Sequence, residues 1–342
     1  MAGAATVQMV STHTPALFAE AVHAAAALLK RGEVVALPTE TVYGLAANAW
    51  NAAAVSRIFQ LKGRPAHNPI IVHVADIEGA KQCVAGWPDD AQRLAAAFWP
   101  GPLTLVLRRA ALIPDVVTAG GDTVGVRWPS HPFIQAVIRE CGFPLAAPSA
   151  NLSNCVSPTN AAHVALQMGA QLPLVVDGGQ SQVGIESTVV DLTQTPARVL
   201  RPGMIHEDAL ASVIYLAKEG THFAARAGDR EPLKSPGLLT RHYAPRTPMR
   251  ILRWRDEAEL HAQLPAEALH GTHVLAHSNI PSGRDLARVS VIPHDADAFA
   301  RALYAELHRC DELGAELIVV EAPPDTPEWR GIRDRLNRAA AA

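Results

Sequence analysis

Leu61-Lys62-Gly63-Arg64-Pro65-Ala66-His67-Asn68-Pro69 divides two stretches of different period, and its reading decides the fold. Ahead of it Ala52 to Leu61 is a helical run, and behind it Ile70-Ile71-Val72-His73-Val74 is an apolar strand. The glycine and the two prolines stop the helix from continuing. Lys62 and Arg64 are two residues apart, so in an extended segment they point the same way. A loop that delivers two like charges to one side suits an anion. The plainer alternative is a solvated surface loop, where Lys and Arg usually sit. On the strand His73 shares a face with Ile71, while Ile70, Val72 and Val74 take the other.

The same alternation extends in both directions. Thr14-Pro15 is a helix start with a capping hydroxyl and a proline in the first turn, and Lys30-Arg31-Gly32 is a basic last turn with a glycine stop. Val34 to Leu37 reads as a buried strand that runs into the polar turn Pro38-Thr39-Glu40-Thr41-Val42-Tyr43-Gly44-Leu45. Further strands are expected at Leu103 to Leu107, Val124 to Val126, Leu145 to Ala147, Leu174 to Val176 and Val189 to Asp191. Helices are expected around Gln92 to Phe98, Phe133 to Glu140 and Ala161 to Met168. The alternation predicts an α/β layered domain over residues 1–205, with a mixed sheet because some connections are short.

A short helical piece and a stretch of little periodicity occupy residues 206–248, read as a linker, although Ser235-Pro236-Gly237 and Arg241-His242-Tyr243-Ala244-Pro245 are too particular for a mere spacer. Residues 249–342 then form a second, smaller α/β domain with strands at Arg250 to Leu252, His273 to Ala276 and Leu317 to Val320. The chain has 342 residues, 49% hydrophobic and 18% charged, which suits two globular domains with real cores. A net charge of -3 argues against a protein that coats nucleic acid or an anionic membrane. Four scattered cysteines without a C-x-x-C pair fit a reducing cytosol, and no signal peptide or spanning segment is expected, so a cytoplasmic location follows. His270, His273 and His277 imitate metal-ligand spacing. In a strand, however, His273 and His277 lie about 13 Å apart, so no zinc site and no metal ligand from side chains is expected.

Phosphate-loop and dinucleotide motifs are missing. The glycine-rich Gly178 to Gly184 lacks the lysine of a phosphate loop. What remains is a set of polar pairs near strand ends. Ser149 and Asn151 in Pro148-Ser149-Ala150-Asn151 have i, i+2 spacing, Glu186-Ser187-Thr188 precedes a strand, and Arg127 and Arg201 each end one. Taken singly, each arginine suits an ion pair, and Ser149 and Asn151 suit turn residues satisfying their own backbone.

Together these segments resemble the YrdC-type threonylcarbamoyl-AMP synthases in their long two-domain form. The resemblance rests on LPTETVYGLAANA from Leu37, KGRPAHNPIIVHV from Lys62, WPGPLTLVL from Trp99, VGVRWPSHP from Val124, APSANLS from Ala147, GIESTVVDL from Gly184 and LRPG from Leu200, and it continues through SPG and RHYAP. It implies a YrdC-like twisted mixed-sheet domain followed by a smaller Rossmann-like one. It further implies synthesis of threonylcarbamoyl-AMP from L-threonine, bicarbonate or carbon dioxide, and ATP, with magnesium accompanying the ATP. A transfer enzyme would pass the group to tRNA, and direct tRNA contact is left open.

By the same resemblance, Lys62, Arg64, Ser149 and Asn151 match the family's catalytic K-x-R…S-x-N tetrad. Thr41, His73, Arg127, Ala147 and Ser187 would surround threonine. Arg64, Asn68, Thr123, Ser149, Ser157, Arg201 and Tyr243 would meet ATP, with the linker laid over the site. Two other readings use the same residues differently: an RNA-binding module with a basic concave surface, and a carbamoyltransferase of metallocentre maturation, whose cysteine clusters this chain lacks.

Overall fold

A computed structural model of the chain describes residues 7–217, 233–237 and 242–341. Residues 218–232 and 238–241 of the expected linker, Arg241 among them, lie outside the described residues. Ten strands among those described build the first sheet: β1 (Gln8–Ser11), β2 (Val35–Leu37), β3 (Gly44–Asn48), β4 (Val72–His73), β5 (Leu103–Arg108), β6 (Thr123–Arg127), β7 (Leu145–Ala146), β8 (Leu174–Asp177), β9 (Thr188–Asp191) and β10 (Arg198–Arg201). Their order is β1-β8-β2-β3-β7-β4-β6-β5-β9-β10. The sheet is mixed. β1–β8, β2–β8, β4–β6 and β5–β9 are parallel, whereas β2–β3, β3–β7, β4–β7, β5–β6 and β9–β10 are antiparallel.

The helices are α1 (Pro15–Lys30), α2 (Ala52–Lys62), α3 (Ile77–Cys83), α4 (Asp89–Phe98), α5 (Pro132–Cys141) and α6 (Ala161–Met168). Period-two alternation sends side chains to two cores. Val35 and Leu37 of β2 and Ala46 of β3 pack with α1 and α5. Ala36, Leu45 and Ala47 pack on the other face with α2, α3, α4 and α6. Thr14 caps α1 by accepting from Leu17 N at 3.2 Å, and Asn51 caps α2 by accepting from Ala54 N at 3.1 Å.

Four differences from the sequence reading have physical causes. The strand at Ile70 to Val74 is paired only over Val72–His73. β3 forms where a turn was expected, because Gly44-Leu45-Ala46-Ala47 is short and small-chained yet buried and paired to β2. β1, α3 and the C-terminal strand at Arg288–Val291 carry too few periodic residues to read. Lys62 and Arg64 do not share an extended segment. Lys62 is the last residue of α2 and Gly63 caps it in the left-handed region (φ 57°), which turns the chain before Arg64.

After α7 (Glu207–Ala211) the second domain contains β11 (Met249–Leu252), α8 (Glu257–Ala262), β12 (Thr272–Ala276), β13 (Arg288–Val291), α9 (Ala296–Glu312), β14 (Leu317–Glu321) and α10 (Arg330–Ala340). Its sheet runs β11-β14-β12-β13 with every pairing parallel. Such strands are covered on both faces, and accordingly all five residues of β12 and of β14 are buried. The two domains share one apolar seam: Val42, Val156, Ile185 and Tyr243 pack in a single cluster with Phe299, Leu303, Tyr304, Ile332 and Leu336. Among the described residues no helix is long and apolar enough to cross a membrane.

Candidate active site

One cavity lies where the ends of β2, β4, β6, β7 and β9 meet the linker. On its first side stands Arg127, the last residue of β6 and 3% exposed. Its Nη1 donates to Thr41 Oγ1 at 2.9 Å and its Nε to Gly101 O at 3.3 Å. Its Nη2 lies 2.7 Å from Glu40 Oε1 in a buried ion pair. Nη2 is thus held by the Glu40 carboxylate, whose second oxygen, Oε2, is buried without a hydrogen-bond partner among the described residues. Burial pushes the Glu40 carboxyl up, but Arg127 and the Ser130 N–H, which donates to Oε1 at 3.0 Å, outweigh it and hold the pKa below the usual carboxylate range. Thr39 Oγ1 donates to Val42 O at 2.6 Å and fixes the turn that presents Thr41.

His73, Ala147 and Ser187 line the same side. Burial, with Arg127 second, pushes His73 down to about 3, so its imidazole is neutral at physiological pH. Its Nδ1 is buried without a partner among the described residues. Ser187 Oγ lies 2.8 Å from Thr104 Oγ1 and accepts from Arg201 Nη2 at 3.1 Å. All five residues assigned to threonine therefore line one cavity.

Arg64, Ser149, Arg201 and Tyr243 line the rest of the cavity, Arg201 meeting the first group at Ser187. Arg64 reaches it only because the chain turns at Gly63. Its Nη2 donates to Asn68 Oδ1 at 2.8 Å and to Pro69 O at 2.6 Å, which holds the guanidinium in place. Burial, and the nearby Arg201, work against its charge. Tyr243 is 1% exposed and sits at φ 61°, a left-handed conformation that a bulky residue adopts only when its surroundings impose it. Gly237 fits against it because any Cβ there would stand 2.4 Å from the tyrosine hydroxyl. The cavity left between these walls measures about 50 Å³. Pro236, Gly237 and Tyr243 narrow it.

Five other expected site residues do not line the cavity. Lys62 is 3% exposed and donates from Nζ to Ser149 O at 2.6 Å and Asn151 O at 2.5 Å. It lies beneath the floor as a pin for the Ser149–Asn151 loop, and burial together with Arg64 lowers its pKa well below normal. Asn151 spends its amide on Leu152 O and Cys155 O, both at 2.8 Å. Asn68 orients Arg64. Ser157 donates to Glu186 Oε1 at 2.6 Å. Thr123 stands at the far end of β6, about 13 Å from Arg127 at strand spacing. Sequence reasoning gave no role to Glu40, buried behind the lining, or to Glu186, a buried carboxylate of the lining itself. The signal was a lone acid between hydroxyl or apolar neighbours in Thr39-Glu40-Thr41 and Ile185-Glu186-Ser187. No cluster of three or more His, Cys, Asp or Glu able to hold a metal occurs among the described residues.

Comparison with known proteins agrees over both domains. Residues 27–203 match the Sua5/YciO/YrdC family model, described as telomere recombination, and residues 205–341 match the threonylcarbamoyl-AMP synthase C-terminal domain. The threonylcarbamoyl-AMP synthase of Pyrococcus abyssi is 39% identical over 92% of this chain and 93% of its own length, and that of Bacillus subtilis 40% identical over 92% of each. The crystal structure of P. abyssi Sua5 complexed with L-threonine aligns with TM-score 0.85 at 34% identity, covering 98% of this chain and 97% of that one. With two domain models in the right order and full-length relatives of this similarity, the chain belongs to the Sua5-type threonylcarbamoyl-AMP synthase family.

Proposed function

We propose that the chain joins L-threonine, carbon dioxide from bicarbonate, and ATP into threonylcarbamoyl-AMP and pyrophosphate. The observation that carries this reading is the pairing of two unlike walls on one cavity. Arg127 with Thr41, His73, Ala147 and Ser187 lines the same cavity as Arg64, Ser149, Arg201 and Tyr243. Arg127 takes the amino-acid carboxylate, for which a planar guanidinium is suited. Neutral His73 and Ser187 offer hydrogen-bonding groups to the amine and hydroxyl of the same ligand.

The threonine amine attacks carbon dioxide, loses a proton and becomes a carbamate. A carbamate oxygen then attacks the α-phosphorus of ATP, and the bond to the bridging oxygen breaks as pyrophosphate leaves. Charge accumulates on phosphate oxygens, where Arg64, Arg201 and the Ser149 hydroxyl stabilise it from fixed positions. Lys62 contributes by holding the Ser149–Asn151 backbone. Magnesium would come with the triphosphate, bound by phosphate oxygens and water. Among the described residues the carboxylates at the cavity are already engaged, Glu186 by Ser157, Tyr304 and Arg335, and Glu40 by Arg127.

A cavity of about 50 Å³ is far below the roughly 300 Å³ or more of a ligand pocket. ATP therefore enters only when Tyr243 and the Pro236–Gly237 segment withdraw, and their return shields a hydrolysable adenylate from water. The product is an activated carbamoyl donor, consumed by acyl transfer to a tRNA adenosine through a partner enzyme. An RNA-binding surface would need these cations exposed, and Lys62, Arg127 and Arg201 are each 3% exposed. The test is pyrophosphate release from ATP, which should require both L-threonine and bicarbonate. Equal release without threonine would exclude the reading.

A further inference from the structure

The second domain meets the active-site wall above all at Arg335. Arg335, near the middle of α10, is 0% exposed. Its Nε donates to Glu186 Oε2 at 2.8 Å, its Nη2 to Glu186 O at 3.1 Å, and its Nη1 to Pro202 O at 2.9 Å and to Asp334 Oδ2 at 2.7 Å. Its guanidinium carbon lies 5.3 Å from the centre of the Tyr243 ring. Tyr304 of α9 adds a hydroxyl donor to Glu186 Oε2 at 3.0 Å.

These acceptors belong to the two segments that carry the nucleotide wall. Glu186 precedes Ser187, whose carbonyl accepts from Arg201 Nε at 3.1 Å. Pro202 follows Arg201 directly. One guanidinium therefore ties the 186–187 peptide, the 201–203 loop and the Tyr243 ring into a single assembly. Backbone contact reinforces it: a Cβ on Gly331, at the start of α10, would stand 2.9 Å from the Gly203 backbone. Ser187, assigned to threonine, shares this assembly through its bonds to Arg201, while the Glu40–Arg127 ion pair belongs to other segments.

We propose that Arg335 is a positioning residue for the nucleotide half of the site, setting Arg201 and Tyr243 through Glu186 and Pro202. The second domain is thereby a structural part of the ATP site. This rests on the synthase reading for the identity of the ligands. A lysine cannot replace Arg335, because an ammonium on a flexible stem cannot span Glu186 and Pro202 as the planar fork does.

The test is a pair of calorimetric titrations on the full chain, ATP and L-threonine separately, with Arg335→Lys and, as a variant that alters no polar atom, Gly331→Ala. ATP Kd should rise about tenfold or more in Arg335→Lys, the scale set by misplaced binding groups, and should rise in the same direction in Gly331→Ala. Threonine Kd should rise far less than ATP Kd in both, because Ser187 is the threonine-side residue bonded to Arg201 while Arg127 and Thr41 lie on other segments. A double variant Glu186→Gln/Arg335→Lys should bind ATP no worse than the weaker single variant, since the two residues act as one unit. Where Arg335→Lys fails to fold, Gly331→Ala decides. Unchanged ATP binding, or equal loss for both ligands, would overturn the inference while leaving the synthase reading intact. A wild-type protein that binds neither ligand would refute both.

Discussion

Glu40→Gln isolates the electrostatics of the threonine wall. The Glu40–Arg127 pair is buried, with side chains 6% and 4% exposed and 2.7 Å between Oε1 and Nη2. Glutamine keeps the shape and an acceptor for Ser130 N but removes the charge, leaving Arg127 as an uncompensated buried cation. Breaking such a pair from one side typically costs about 3–5 kcal/mol, and the retained acceptor puts the variant at the lower end. For a domain of this size, about 3 kcal/mol corresponds to a fall in Tm of roughly 6–12 °C. Ligand should then act as the missing counter-charge. Threonine at roughly a hundredfold excess over its Kd stabilises by about 2.7 kcal/mol. Its carboxylate meets a less neutralised Arg127 in the variant, so the rise in Tm on adding threonine should be larger in Glu40→Gln than in wild type. The Glu40 pKa lies below its unfolded value, so its contribution is present above about pH 4.5 and lost as pH falls through the folded value. The gap between variant and wild type should close in acid accordingly. Differential scanning fluorimetry with and without threonine reads all of this. A variant within about 2 °C of wild type, far short of the buried-pair cost, or one that threonine stabilises less than wild type, would refute the assignment of Arg127 to the substrate carboxylate.

Arg64→Ala should lower turnover by about 100- to 1,000-fold, the usual loss for one fixed donor to transition-state charge, with little change in thermal unfolding; near-normal turnover at saturating substrates would remove Arg64 from the mechanism. Gly237→Ala should weaken ATP retention in dissociation measurements, because its Cβ would clash with the Tyr243 hydroxyl and its φ of 81° disfavours alanine. Serine in place of threonine should be used less efficiently by about 1–3 kcal/mol in kcat/KM, since Ile71 and Ala147 give the cavity apolar wall near His73. His73, His163 and His242 are each pushed by burial down to about 3, below the unfolded value of about 6.5. Between those limits the unfolded chain binds protons the folded one does not, so stability is full above about pH 6.5 and falls by up to about 1.4 kcal/mol per pH unit for each histidine below it. Denaturant titrations from pH 7 to pH 5 should show that decline, and a flat profile would contradict it.

The layered α/β architecture was legible because its longer elements obey simple periods. α5, α6, β5 and β8 fall close to where apolar spacing puts them. β3 and β1 were not legible, since small or polar residues gain their strand character only from neighbours distant in sequence. The site was legible as a set of motifs but not as a geometry. Spacing put Lys62 and Arg64 on one side of an extended loop; the left-handed turn at Gly63 sends Lys62 beneath the floor and Arg64 to the wall. Ser149 faces the cavity while Asn151, two residues on, is used up by local carbonyls. Arg335 carries no local signal at all. It lies 149 residues from Glu186, and nothing in Arg330-Gly331-Ile332-Arg333-Asp334-Arg335 distinguishes its guanidinium from those of a solvated helix.

The central claim is that one cavity joins threonine, carbon dioxide and ATP. Its most direct measurement is incubation of the purified chain with ATP, L-threonine and ¹⁴C-bicarbonate, followed by chromatography of the nucleotide products. The account predicts label in a threonylcarbamoyl adenylate, formed together with pyrophosphate and absent when any one of the three substrates is withheld. Pyrophosphate without labelled adenylate, or labelled product that forms without threonine, would contradict it.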